Sequence, residues 1–275
     1  MNAQPQAVAS AYQSTTEKLK AWVEGPVLHL SFNNVPKHNA ISVEMWEAVP
    51  ILLDQAEKDD AIRMVVFSGQ GPKSFASGAD ISQFEDMRAA REAVKKYEHM
   101  AENALMGLYR FSKPVVAAIQ GYCIGGGLNM AISCDIRIAS ADSVFAIPAT
   151  RLGLGYRFSA LKNLVDLVGP GAAQDIFYTG RRLDAEEAKS IGLVNRIAPR
   201  EKFDELLAEY VTAITTGAPL TIKAGKRIIR EVLKPDRDID MDLCKQLITD
   251  CFESDDYAEG RRAFMEKRKP AFKGK

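Results

Sequence analysis

Residues 19–33 alternate apolar and polar positions on either side of Glu24-Gly25-Pro26, which predicts a β-hairpin. Ser42 is a suitable N-cap. Behind it Met45, Trp46, Val49, Leu52, Leu53 and Ala56 recur at helical spacing. Residues 62–68 form a short apolar run ended by Gly69 and Gly71, the pattern of a buried strand. Over residues 92–109, Val94, Tyr97, Ala101, Leu105 and Leu108 mark one face of an amphipathic helix. Pro114 opens a strand over 115–120, residues 128–133 begin a helix, and 135–139 read as a further strand. The stretches 65–81 and 115–130 share one plan of β run, glycine-containing loop and helix start, a weak repeat that suggests stacked β/α turns. From about Glu201 the pattern is helical only, with segments over 203–214, 221–233, 241–252 and 256–268. The expected organisation is an N-terminal tail over 1–18, an α/β core over 19–200 and a helical region over 201–275.

Composition narrows the functional classes. The 275 residues can bury a sizeable core. Lys plus Arg and Asp plus Glu both number 36, so the net charge is zero, which argues against non-specific nucleic-acid binding. No run of about 18 apolar residues offers a membrane span. The first 18 residues lack both an apolar stretch and arginine, so neither a signal nor an import peptide fits, and a flexible tail is expected. Cys123, Cys134, Cys244 and Cys251 form no CxxC pair and read as free thiols of a reducing compartment, the cytoplasm. No His, Cys, Asp and Glu spacing suits a metal, and none is expected. His29 reads as a packed or surface histidine and His99 as solvent-facing.

Candidate chemistry lies in two loops. Gly121-Tyr122-Cys123-Ile124-Gly125-Gly126-Gly127 joins a strand pattern to a helix start. Glycine there exposes main-chain N–H groups, and the helix adds the positive end of its dipole. Ser77-Gly78-Ala79-Asp80-Ile81 again places small residues between strand and helix. Two such loops can aim one N–H each at a single oxygen, an oxyanion hole suited to a thioester enolate. Equally, the glycines can serve only close strand–helix packing.

Five segments, in order, carry a family resemblance: Pro36-Lys37-His38-Asn39-Ala40-Ile41; Phe75-Ala76-Ser77-Gly78-Ala79-Asp80-Ile81; Lys113 to Gly121 with Gly125-Gly126-Gly127; Thr179 to Ala188 with Gly192-Leu193-Val194; and Glu259 to Arg268. The chain resembles the crotonase, or enoyl-CoA hydratase/isomerase, superfamily over about residues 20–273. The resemblance implies an α/β fold, a crotonase-like spiral of ββα repeats with a helical C-terminal trimerisation region. It implies a homotrimer or dimer of trimers, an acyl-CoA substrate and no cofactor beyond the coenzyme A that the substrate carries. It also implies that Ala79 and Gly126 donate their amides to the thioester oxygen. Ser77, Gly78, Asp80, Ile81 and Ser82 would line the CoA and acyl path with Gly125. Lys37, His38 and Ala40 would lie along CoA, and Phe264 and Lys267 would meet adenine or phosphate, often across a subunit boundary.

The chain departs from the hydratase pattern at two positions. Asn129 and Ala149 stand where hydratases of the superfamily carry glutamates. An amide is no general base near neutral pH and a methyl group moves no proton, so ordinary hydration should be severely weakened. Decarboxylation needs no protein base, because departing CO2 leaves its electrons in the enolate. The segment Leu152-Gly153-Leu154-Gly155-Tyr156 resembles the corresponding loop of methylmalonyl-CoA decarboxylases, although Ala79 replaces a histidine found there. Tyr156 is the first candidate for a proton donor or carboxylate-binding group, or else packs beneath its loop. Arg151, Arg157, Asn129, Thr150 and Cys123 are the other polar groups near the acyl end. A catalytically silent acyl-CoA-binding protein and a structural assembly subunit are the competing readings.

Overall fold

The computed structural model describes residues 12–80 and 91–275. The predicted hairpin is β1 (Leu19–Glu24) and β2 (Val27–Phe32), paired antiparallel around Gly25. Helix α1 (Val43–Lys58) follows and buries every apolar position that its periodicity marked. Ser42 takes the N-cap backbone conformation, yet its hydroxyl makes no capping bond. Then come β3 (Met64–Gly69), the short β4 (Ser74–Ala76), α2 (Arg91–Arg110), β5 (Val115–Ile119), β6 (Tyr122–Ile124) and α3 (Gly126–Ser133). The order continues with β7 (Ile136–Ser140), β8 (Val144–Ala146), α4 (Phe158–Thr179), β9 (Leu183–Asp184), α5 (Ala185–Ser190) and β10 (Arg196–Ala198). Helices α6 (Phe203–Thr215), α7 (Pro219–Val232), α8 (Met241–Phe252) and α9 (Asp255–Met265) complete it.

The strands sort into two sheets. One runs β1-β2-β3-β5-β7-β10 and is parallel after its first pair; the other runs β4-β6-β8-β9 and is parallel except for its last pair. Odd and even strand residues face different partners, as the two-residue period requires. Val65, Phe67, Val115 and Ala117 face the main core with α1. Met64, Val66, Val116 and Ala118 face Phe203 and the apolar side of α6. Helix α6, in the C-terminal helical region, therefore closes the second face of the sheet.

Two polar links fasten the C-terminal helices to this core, and a third ties α9 to the residues that follow it. Lys226 of α7 donates to Asp135 at 2.5 Å and to the Lys113 carbonyl at 2.6 Å. Arg63 donates to the carbonyls of Thr215 and Phe272. The buried Asp256 accepts the N–H groups of Lys273 and Gly274 at 2.6 and 2.8 Å.

Three features differ from the sequence expectation. Tyr12, inside the segment expected as tail, is buried and donates to Asp59 at 2.9 Å, because an aromatic ring with a satisfied hydroxyl gains by covering the core. The long helix α4 had no clear pattern, since Gly169 at φ 75° and Pro170 kink it midway. The short strands of the second sheet, two or three residues each, are too brief to show a period.

Candidate active site

The two glycine loops meet. The segment after β4 is held from one side by the segment after β2, through Ser77 N–H to His38 O at 3.1 Å, Ile41 N–H to Gly78 O at 2.7 Å and Asp80 N–H to Ile41 O at 3.0 Å. These bonds pin the residues on both sides of Ala79, whose own N–H bonds to no carbonyl among the described residues. Asn39 secures the holding segment. It is buried with φ 56°, donates to the carbonyls of Gln70 and Ser74 at 2.9 and 2.7 Å, and accepts from the Asn34 N–H at 3.0 Å.

The second loop is fixed differently. Gly125 turns the chain from β6 into α3 at φ 52°, a region costly for any residue with a Cβ. Gly127 lies so close to β4 that a Cβ would come within 2.4 Å of the Ala76 carbonyl oxygen. Between them Gly126 begins α3, and its N–H is one of the unpaired donors of a helix first turn. A Cβ built on Gly126 would lie 3.5 Å from the Ala79 nitrogen and 3.6 Å from Cζ2 of Trp46. Two unpaired amides, one at a helix N-terminus, thus border the same small space.

That space opens into a cavity of about 340 Å³. Ser77, Gly78, Ala79, Gly125, Gly126, Asn129 and Tyr156 all line it, as do Trp46 and Ala149. Leu105, Ala101, Leu154 and Ala160 give it apolar walls, while Tyr97, Glu98 and Arg157 add polar groups. The Tyr156 ring packs edge-on against Phe177 with centroids 5.2 Å apart. Burial pushes its phenol up to about 12, and the Asn129 amide facing it opposes that shift. At neutral pH Tyr156 is therefore a proton donor and not a base.

Other sequence candidates lie elsewhere. Lys37 spans to both carboxylate oxygens of buried Asp80 at 2.9 and 3.1 Å, just outside the cavity. His38 is exposed at φ 52°, and Ala40 is buried in the holding segment. Arg151 and Thr150 pack against Gly180 away from the cavity, and Cys123 is buried with its thiol pushed well up by desolvation. Arg157 lines the cavity and lies 3.7 Å from Glu102. Phe264 is exposed on α9 and Lys267 follows that helix at φ 54°; neither lines the cavity. Ile81 and Ser82 fall outside the described residues. Sequence reasoning missed Trp46, Tyr97 and Glu98 as cavity residues. Their helical spacing marked Trp46 and Tyr97 as core positions, and nothing local distinguished Glu98 from a solvated face.

Comparison with known proteins gives the family and the fold. The enoyl-CoA hydratase/isomerase family profile matches residues 23–275. The chain belongs to the enoyl-CoA hydratase/isomerase family. It is 32% identical over 246 residues to a short-chain-enoyl-CoA hydratase of Clostridium acetobutylicum, covering 90% of this chain and 94% of that one. It is 31% identical over 268 residues to a carnitinyl-CoA dehydratase of Salmonella typhi, covering 94% and 100%. An enoyl-CoA hydratase/carnithine racemase structure from Magnetospirillum magneticum superposes with a TM-score of 0.90 at 32% identity, over 97% of this chain and 99% of that one. The mixed α/β architecture is accordingly the crotonase fold that the sequence motifs implied. Among the described residues no helix is long and apolar enough to cross a membrane.

Proposed function

We propose that this family member binds an acyl-CoA thioester and stabilises its enolate between the N–H groups of Ala79 and Gly126. The observation that carries the reading is the pairing of these two amides, unbonded among the described residues, on the lining of a largely apolar cavity. Preorganised donors of this kind contribute about 3–4 kcal/mol each to a transition state that places charge on oxygen. The helix dipole of α3 adds to the same field. CoA would leave the cavity past Lys37 and His38, where the Lys37 ammonium sits beside Asp80.

Within this reading the chemistry at the acyl end differs from ordinary hydration. Asn129 and Ala149 line the cavity at the positions that the resemblance assigns to glutamates. Tyr156, held protonated by burial, can donate to a carbanion or bind a carboxylate. This favours, as the second reading, decarboxylation of a malonyl-type thioester. Large apolar side chains exposed on α7, α8 and α9, including Ile229, Val232, Met241, Phe252, Phe264 and Met265, support assembly into a trimer or dimer of trimers.

The deciding experiment incubates the protein with crotonyl-CoA, 3-hydroxybutyryl-CoA and methylmalonyl-CoA and follows product masses. Conversion of any one supports an enzyme, and the mass change gives the reaction. Binding of all without conversion assigns a silent acyl-CoA carrier, and neither binding nor conversion sinks the proposal. Introducing Asn129→Glu with Ala149→Glu should create or raise hydration of crotonyl-CoA. Fast hydration by the unchanged chain would show that the two carboxylates are dispensable here.

A further inference from the structure

We propose that Arg157 makes this cavity a receptor for acyl-CoA thioesters whose acyl group ends in a second carboxylate. The inference rests on the thioester reading above and names the class of acyl group which that reading leaves open.

Arg157 stands at the N-cap of α4, and it is the one cation that lines the cavity among the described residues. Its Nε is shut off from solvent and has no acceptor. The acid in reach is Glu102, whose Oε2 lies 3.7 Å from Nη1, too long for a hydrogen bond. That same oxygen already accepts the Ser159 hydroxyl at 2.8 Å. Elsewhere the chain closes such pairs: Arg181 donates to Asp175 at 2.9 Å and to Glu187 at 2.8 Å. The donor fork of Arg157 is thus left unfilled among the described residues.

Its position along the wall suits the far end of an acyl group. Asn129 follows Gly126 by three residues in α3, about 4.5 Å of helix rise from the thioester anchor. Burial raises the Tyr156 phenol, while the Asn129 amide bonded to it and the charge of neighbouring Arg157 both pull it back. Gly126, Asn129, Tyr156 and Arg157 therefore succeed one another along the lining. An acyl chain whose carbonyl rests on the Gly126 amide meets the guanidinium at its distal end.

The surroundings favour a charged chain end over a neutral one. Ala101, Leu105, Leu154 and Ala160 line the same cavity, and apolar walls strengthen an ion pair that water would weaken. Glu98 also lines the cavity but is exposed, where solvent screens its repulsion. A guanidinium presents paired N–H groups to both oxygens of a carboxylate. A methyl end offers no acceptor and leaves those donors unanswered, so the site discriminates against the neutral analogue.

The test measures binding to the full chain by calorimetry, succinyl-CoA against butyryl-CoA and glutaryl-CoA against pentanoyl-CoA. Each pair matches in chain length and differs in its terminal group. In at least one pair the dicarboxylic thioester should bind about 10–100-fold more tightly, the scale of charge-assisted hydrogen bonds. Arg157→Gln should bring that pair within about threefold, and Arg157→Lys, which keeps the charge without the fork, should lie between. Should the Arg157 variants fail to fold, Glu102→Gln, which removes the competing acid, should widen the preference of the otherwise unchanged chain. Equal or tighter binding of the neutral thioester in both pairs overturns the proposal while sparing the CoA reading. So does a preference that survives Arg157→Gln, or one that Glu102→Gln leaves unwidened. No binding of any of the four thioesters overturns both.

Discussion

The two loops that present Ala79 and Gly126 reach the same place by opposite means. The Ala79 loop is held by hydrogen bonds from a neighbouring segment, itself buttoned down by Asn39. The Gly126 loop is held by exclusion, because Gly127 rests on Ala76 with no room for a methyl group. One donor thus depends on polar groups being satisfied, and the other on the absence of atoms. The difference teaches that a short motif of small residues can encode position in two currencies, each with its own characteristic failure.

Substitutions separate the two. Gly127→Ala should be the most damaging, costing at least about 3 kcal/mol by overpacking and giving little folded protein by circular dichroism. Alanine ordinarily favours a helix by up to about 1 kcal/mol over glycine, so a neutral result here would overturn the steric account. Gly126→Ala meets nothing closer than 3.5 Å, so thermal stability should hold or rise slightly. Its methyl group would crowd the Ala79 N–H, and turnover of the active thioester should fall about 10²–10³-fold. Asn39→Ala should cost about 2–3 kcal/mol in chemical denaturation, since it strands buried carbonyls and an N–H. Asn39→Asp should cost no less, because a buried carboxylate oxygen would face the carbonyl oxygens of Gln70 and Ser74 with no proton to donate. Lys37→Met should be the mildest, about 1–2 kcal/mol, because the lysine is half exposed but its removal takes a counter-charge from buried Asp80.

Much of this was legible in the chain. Periodicity marked β1 to β3, α1, α2, β5 and the C-terminal helices, because each is long enough for its buried face to repeat. The triple glycine and the small residues before Asp80 pointed to the paired loops, although glycine there reads equally as close strand–helix packing, the part that Gly127 plays. What escaped was set by contacts between distant segments. The strands of the second sheet owe their state to pairing, and α4 hides its period behind Gly169 and Pro170. Trp46 and Tyr97 look like ordinary core positions until the bond between α1 and α2 joins them at the cavity. No local pattern records that a buried indole N–H meets a phenol 51 residues away.

The strand orders carry a last consequence. Both sheets list their strands in chain order, each new strand joining the free edge left by the one before. No strand is inserted between two that are already paired. Growth can therefore proceed vectorially from the amino end, with the two sheets extended in turn, and neither the Ala79 nor the Gly126 loop requires an earlier pairing to be undone. The β6–β8 pairing that ties the Gly125 N–H to the Ala146 carbonyl is added only after both loops have been laid down, so the cavity is completed from its far side.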